Sequence, residues 1–193
     1  PEKIARQRAA GRLTVRERIG ALLDSGSFHE IGSITGNGAY DETGALQSMT
    51  PTNFLFGRGL IEGRRVVVAG DDFTVRGGAS DASIIEKQVA AEQMAHELRL
   101  PMIRLIEGSG GGGSVKSLEA MGYTYVPFLP GFDHMVRNLA TVPVVSLGLG
   151  PIAGFGAAKV VQSHYSLLVR GQSQMFVAGP PVVAAAGQKL TKE

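Results

Sequence analysis

Apolar residues recur at helical spacing near the start of the chain and at strand spacing after residue 53, and that change of period divides the sequence into two parts. Residues 3–12 read as a basic helix broken at Gly11. Thr14-Val15-Arg16-Glu17 has the form of a capping box, in which a hydroxyl and a carboxylate satisfy the free N–H groups of a new helix. Val15, Ile19, Leu22 and Leu23 supply its apolar stripe, and Asp24-Ser25-Gly26 ends it. Phe28 to Thr35 reads as a strand, and Gly36 to Thr52 as a polar, glycine-containing loop.

From Asn53 onward the runs are shorter and more apolar. Phe54 to Ile61 and Arg65 to Ala69 read as strands around Glu62-Gly63, a two-residue hairpin signal. Ser80 to Arg99 is helical, with Ile84, Ala91, Met94, Ala95 and Leu98 on its apolar side, and Pro101 stops it. Met102 to Ile106 is a strand followed by the glycine run Gly108 to Ser114. Short helices are expected near Lys116 to Met121 and Phe132 to Ala140. Val142 to Leu147 is a strand followed by a second glycine segment, Gly148 to Gly156, and a helix from Ala157 to Ser163. Tyr165 to Val169 and Gln174 to Val177 read as strands, and Gly179-Pro180-Pro181 opens a helix with proline in its first turn. The recurring unit of strand, glycine-rich loop and helix predicts an α/β architecture with helices flanking a parallel or mixed sheet. No internal repeat and no linker interrupts it.

Composition narrows the chemistry. The chain has 193 residues, enough for one domain with a core, and no Cys, which excludes disulfides, thiolate metal sites and a Cys nucleophile. No apolar run reaches the roughly 18 residues of a membrane span, and the basic start carries no run of the signal-peptide kind. Between Asp133 and Glu193 there is no acid, while Arg137, Lys159, Arg170, Lys189 and Lys192 are present. This basic half suits an anionic ligand. Nucleic acid is disfavoured because the stretch is apolar and Gly-rich, with few interleaved aromatics.

Gly, at 27 residues, is the unusual component, and it clusters after strands. Three readings compete. Gly148-x-Gly150-x-x-Ala153 has the spacing of a dinucleotide fingerprint, but no acid follows about 20 residues on for a ribose, although Arg170 suits a 2′-phosphate. A Walker A loop fails because Ser114 stands where Lys is required. The loops are alternatively tight turns that need positive φ. The third reading is an oxyanion hole, in which N–H groups unobstructed by side chains stabilise a thioester oxyanion or enolate, each donor contributing about 3 kcal/mol in the transition state. Side-chain catalysts are few. His29, His96, His134 and His164 stand apart without metal-type spacing, Asp71 and Asp72 suit a strand end and a turn cap, and Ser109 and Ser114 lack a G-x-S-x-G elbow. No metal is expected in this chain.

The sequence resembles the carboxyltransferase (β) subunits of propionyl-CoA, methylcrotonyl-CoA and related acyl-CoA carboxylases. The resemblance rests on Gly11-Arg12-Leu13-Thr14-Val15-Arg16-Glu17-Arg18-Ile19 and Leu22 to Phe28, then Gly70-Asp71-Asp72-Phe73-Thr74-Val75-Arg76-Gly77-Gly78. It continues in Ser109-Gly110-Gly111, Gly150-Pro151-Ile152-Ala153-Gly154 and Met175 to Pro181. These segments span nearly the whole chain in the family's order. The departures fall in the loops: Gly108 replaces the usual acid, the usual arginine is missing, and Phe155 replaces a second glycine.

The resemblance implies a crotonase-like ββα spiral. Residues 1–193 would be the N-terminal carboxyltransferase domain, with a helical segment over about 1–27 and a core over about 53–193. It implies that Gly110 and Gly111 donate backbone N–H groups to the acyl thioester, and that Ser109, Gly112, Gly113, Gly150, Ala153, Gly154, Phe155, Gly77 and Gly78 line the substrate. The implied reaction is carboxyl transfer from carboxybiotin to the α or vinylogous γ carbon of an acyl-CoA. In it biotin takes the α-proton, so no protein base is needed. Biotin would arrive on a separate carrier, since no A-M-K-M motif is present. The implied partners are acyl-CoA, a biotin carboxylase and biotin carrier subunit, and further copies of the chain in a dimer and hexamer, with no nucleic acid or membrane. The family's second domain would follow Glu193, so the resemblance implies that this chain is a fragment. The implied compartment is the cytoplasm, or the mitochondrial matrix in a eukaryote. A decarboxylase relative, a crotonase-type hydratase or isomerase, and a non-catalytic structural relative are the alternatives. A hydratase would need paired carboxylates at the thioester, and only Glu107 and Glu119 are near the loops.

Overall fold

The computed structural model describes residues 2–79, 84–108 and 132–177, together with Ala184 and Gly187. Helices α1 (Glu2–Ala9) and α2 (Val15–Leu22) come first. The capping box is present: the Thr14 hydroxyl accepts from the Glu17 N–H, and the Glu17 carboxylate accepts from the Thr14 N–H at 2.8 Å. Val15, Ile19 and Leu23 are buried beneath α2, as the apolar stripe requires.

Strands follow: β1 (His29–Glu30), β2 (Gly36–Tyr40), β3 (Leu46–Pro51), β4 (Phe54–Ile61) and β5 (Arg64–Asp71). β4 and β5 form the expected hairpin. Glu62 (φ 49°) and Gly63 (φ 74°) both take left-handed backbone, the geometry that matches the twist of the flanking strands. Asp24 seals the turn by accepting from the Glu62 and Gly63 N–H groups at 2.9 and 2.8 Å. Helix α3 (Ile85–Leu98) ends on Arg99 in left-handed conformation before Pro101. Then come β6 (Met102–Gly108), α4 (Phe132–Thr141), β7 (Val144–Ala153), α5 (Phe155–Val161), β8 (Tyr165–Leu168) and β9 (Gln174–Phe176).

One sheet has the order β1-β4-β5-β6-β7-β8, with β9 also on β7. β1, β4 and β5 are antiparallel neighbours, and β5 through β9 are parallel. Alternate strand residues face opposite layers. Phe54, Phe56, Val67, Ala69, Met102 and Val144 pack on α3 and the end of α4. Leu55, Val66, Val68, Ile103 and Leu105 pack on α2 and Leu23. This is an α/β fold with helices on both faces of a mixed sheet.

Three expectations change. Residues 36–52 are not a loop: β2 and β3 pair with each other as a separate hairpin, from Gly36 opposite Pro51 to Tyr40 opposite Leu46. The hairpin has no buried face, so it lacks the apolar alternation that marks a half-buried strand. Only His29–Glu30 of the expected strand 28–35 pairs, and the chain turns at Gly32 (φ 64°). The third change is in the second glycine segment. β7 runs on through Gly148, Gly150 and Ala153, because β6, β8 and β9 supply it with partners on both sides. The short helix expected near 116–121 and the one opened by Gly179 lie outside the described residues, apart from a single helical residue at Ala184.

Candidate active site

The parallel strands β5, β6 and β7 end side by side, and glycine stands at each end. Gly77 and Gly78 follow β5 in a 3₁₀ turn (Arg76–Gly78) with φ of 63° and 70°. Gly108 closes β6 at φ 100°, Gly150 lies in the second half of β7, and Gly154 follows it at φ 58°. A Cβ on Gly78 would lie 2.8 Å from the Glu107 carbonyl oxygen, and one on Gly108 would lie 2.9 Å from the Gly78 Cα. A Cβ on Gly150 would run into the Glu107 carboxylate. Close backbone approach at the strand ends therefore requires glycine at these positions.

Glu107 sits at the centre of this convergence and is fully buried. Its Oε1 accepts from Arg12 Nη1 at 3.0 Å, and its Oε2 accepts from Gln7 Nε2 at 3.1 Å and pairs with Arg18 Nη1 at 2.6 Å. Arg18 also donates to the Leu149 carbonyl at 3.1 Å. The Glu107 N–H donates to Asp71 Oδ2 at 3.2 Å. Asp71 is buried, and that burial pushes its carboxyl above the ordinary range against the opposing pull of Lys159. Burial likewise pushes Lys159 below the ordinary ammonium range, opposed by the charges of Asp71 and Glu92. Lys159 Nζ donates to Gln88 Oε1 at 2.7 Å, 5.5 and 5.2 Å from the ring centres of Phe54 and Phe155.

A matching carboxyl transferase domain model covers residues 6–193, nearly the whole chain. The chain belongs to the carboxyl transferase domain family. It is 32% identical to the mitochondrial methylcrotonoyl-CoA carboxylase beta chain of Arabidopsis thaliana, covering 100% of this chain and 32% of that one. It is 27% identical to methylmalonyl-CoA decarboxylase subunit alpha of Veillonella parvula, covering 100% of this chain and 37% of that one. Among solved structures, transcarboxylase 12S aligns with a TM-score of 0.78 at 25% identity, over 100% of this chain and 37% of that one. That structure is described as a hexamer assembly with methylmalonyl-coenzyme A and methylmalonic acid bound. The chain thus spans 32% and 37% of the curated relatives named here.

Within this carboxyl transferase domain the expected site residues divide into three groups. Ser109, Gly110, Gly111, Gly112 and Gly113 lie outside the described residues. Gly77, Gly78 and Gly150 come together around Glu107 and Gly108. Ala153 ends β7 opposite Phe176, and the Gly154 N–H donates to the carbonyls of Phe176 and Val177, each at 3.1 Å. Phe155 opens α5 with its ring against Lys159. The dinucleotide reading of Gly148 to Ala153 fails, since these residues form a paired strand and not a phosphate-cradling loop. Asp71 ends β5, and Asp72 caps its turn by accepting from the Thr74 N–H at 2.9 Å, as expected of the pair.

Glu107 has both carboxylate oxygens engaged by cationic or amide donors, which removes it as the free acid a hydratase would use. His164 is structural: its Nδ1 accepts from the Val144 N–H, and its Nε2 lies 2.9 Å from the Leu139 carbonyl. Sequence reasoning did not single out Gln7, Arg12, Arg18 or Lys159 as site residues. One signal was available: a carboxylate at the end of the apolar run Met102 to Ile106 must have cationic partners if that strand is central. Among the described residues no helix is long and apolar enough to cross a membrane.

Proposed function

We propose that this chain is the acyl-CoA-binding, N-terminal domain of a biotin-dependent acyl-CoA carboxyltransferase. The observation that carries the reading is the meeting of Gly78, Gly108 and Gly150 at the ends of three parallel strands, where added side chains would collide with main chain or with Glu107. Glycine there lets the strand ends close on one another, and the run that follows, Ser109 to Gly113, has no bulky side chain to keep a thioester oxyanion from backbone N–H groups, which stabilise such a charge. Gly110 and Gly111, directly after this convergence, are the donors to the thioester oxygen, flanked by Ser109, Gly112 and Gly113. The chain's residues bind the acyl-CoA, exclude side chains from the thioester and stabilise its enolate. Carboxybiotin, carried by a separate subunit or domain, supplies the carboxyl group and the base for the α-proton. With both its oxygens engaged, Glu107 is not the base in this scheme.

The remainder of the enzyme, including the biotin subsite, belongs to sequence that the longer relatives possess beyond the matched third. Its partners are a biotin carboxylase and carrier subunit and further copies of the chain, as a dimer and in a hexamer; a hexamer assembly is what is described for transcarboxylase 12S. Its compartment is the cytoplasm, or the mitochondrial matrix if the source is a eukaryote. Similarity to methylmalonyl-CoA decarboxylase subunit alpha supports the reverse half-reaction at the same site as a second reading.

The deciding experiment uses the full-length enzyme with its biotin-carrying partner. Gly111→Val should lower kcat by about 10²–10³-fold if one oxyanion donor is lost, with the circular dichroism spectrum retained. Ser109→Ala and Ser114→Ala should be milder. A folded Gly111→Val enzyme with near-normal kcat/KM sinks the oxyanion assignment. Assaying both directions with a panel of acyl-CoAs separates carboxylase from decarboxylase.

A further inference from the structure

The N-terminal helical segment reaches into the strand ends at one residue. Gln7 on α1, Arg12 between the helices and Arg18 on α2 all contact the carboxylate of Glu107, which is about a hundred positions further along the chain. Glu107 precedes Gly108, its carbonyl packs against Gly78, and its carboxylate packs against Gly150. Arg18 also holds the carbonyl of Leu149, the neighbour of Gly150. One cluster therefore fixes the backbone at all three glycine-bearing strand ends. Burying a carboxylate between guanidinium groups is a poor way to gain stability, because desolvation cancels most of the attraction and an apolar residue of similar size would serve as well. What charged, directional hydrogen bonds add is a defined position.

From this geometry we infer that Glu107, clamped by Arg12 and Arg18, is a positioning residue for carboxyl transfer: it sets the main chain at Gly108 and Gly150 against which the acyl thioester is held. The inference rests on the proposed reading of the glycine loops as the acyl-CoA site. It also gives α1 and α2 a role in the site, as the support on which the strand ends are registered. Glu107 transfers no proton in this scheme, because Arg12, Arg18 and Gln7 occupy both of its oxygens.

The test uses full-length enzyme with its biotin-carrying partner and two variants. Glu107→Gln keeps the volume and removes the charge. Arg12→Met removes one clamp at the partly exposed edge of the cluster and leaves the Arg18 pair in place. A displacement of about an ångström at a reacting centre lowers turnover by about 100-fold, so Glu107→Gln should reduce kcat by about 10–100-fold and Arg12→Met by about 3–10-fold. The KM for acyl-CoA should move by less than about threefold, because ground-state binding is spread over the whole ligand. Amide hydrogen exchange, followed by mass spectrometry, should quicken over residues 105–108 and 147–153 and stay unchanged in β4. A folded Glu107→Gln enzyme with unaltered kcat overturns the inference. So does exchange that rises evenly across the sheet, which is the mark of a merely structural residue. If Glu107→Gln fails to fold, Arg12→Met decides on the same criteria. If the wild-type enzyme carboxylates and decarboxylates no acyl-CoA, the functional reading fails, and the exchange pattern alone still judges the clamp.

Discussion

Strand β6 sends one charged side chain toward each face of the sheet, and the two are satisfied in different ways. Arg104 points to the α3 side. It is buried and forms a two-pronged pair with Glu92, at 2.7 and 3.0 Å, and donates to the carbonyls of Lys159 and Gln162. Asn138 on α4 completes that cluster by donating to Glu92 Oε2 at 2.9 Å. Every partner is on a helix or at a helix end, so this cluster welds α3, α4 and α5 to the sheet. Glu107 points to the α2 side, and its partners are Gln7, Arg12 and Arg18 from the N-terminal segment, of which Arg18 also donates to the Leu149 carbonyl in β7. Two buried ion pairs three residues apart thus each tie helices to the sheet, and the second has in addition the proposed task of registering the glycine-bearing strand ends. Desolvation makes both poor sources of net stability, but each becomes indispensable once its partner is buried with it.

The largest effect should come from breaking the first cluster. Glu92→Ala leaves Arg104 buried without its carboxylate and should destabilise the protein by about 3–5 kcal/mol, read from urea unfolding. The paired replacement Glu92→Leu with Arg104→Met should be far closer to wild type. If both variants unfold equally early, the layer-joining role assigned to this face is wrong.

Next in size is a collision on the other face. Gly150→Ala places a Cβ against the Glu107 carboxylate, which Arg12 and Arg18 prevent from moving. Overpacking of this kind costs about 1–3 kcal/mol. Acyl-CoA turnover should fall more than stability does, since the displaced group is the proposed registering residue. An unchanged melting temperature with unchanged turnover would mean that Glu107 swings aside freely, and the contrast between the faces would collapse.

How much of this could be read beforehand depended on the range of the interaction. The Thr14–Glu17 capping box and the Glu62-Gly63 turn were legible because every participating group lies within a few residues. The parallel strands were legible as apolar runs bounded by glycine. The hairpin of β2 and β3 was not, because neither strand buries a face and Asp41, not an apolar pattern, organises its turn. β7 was cut short at Leu147 because glycine marks a loop locally, whereas pairing of Ile152 with Gly108 and Met175 draws the segment into the sheet. The Glu107 cluster was illegible for a different reason. Gln7, Arg12 and Arg18 are ordinary surface-type residues until the fold brings them to a carboxylate far along the chain. The proposed donors Gly110 and Gly111 came from resemblance alone, and they lie outside the described residues.

A smaller effect tests whether α2 must be held for Arg18 to reach its target. Thr14→Ala removes the cap and should lower stability by about 1 kcal/mol. The reciprocal partner reports through pH. Hydrogen bonds from the Thr14 N–H and hydroxyl, with help from Arg8, bring the Glu17 carboxyl from its ordinary 4.5 down to about 2. A lowered acid stabilises the fold above its unfolded value and loses that contribution as it is protonated. The stability difference between wild type and Glu17→Gln should therefore be full above about 4.5 and vanish as pH falls towards about 2. A difference independent of pH would mean that the cap is not carrying the helix.

The smallest effect provides the control for that face. Gly20 lies on α2 with nothing beyond its own helix within 4 Å of where a Cβ would be, and it is exposed. Its backbone is helical, so alanine fits without strain and limits the unfolded chain more than glycine does. Gly20→Ala should therefore raise stability by about 0.5–1 kcal/mol. The same helix carries Arg18, two residues earlier, into the Glu107 cluster. If that cluster acts through fixed position rather than through the overall stability of α2, the variant should melt later and turn over acyl-CoA at the wild-type rate. Differential unfolding and steady-state kinetics on one preparation read both quantities. A stabilised variant with altered kcat would tie turnover to helix stability itself, and the division of labour between the two faces of β6 would then have to be redrawn.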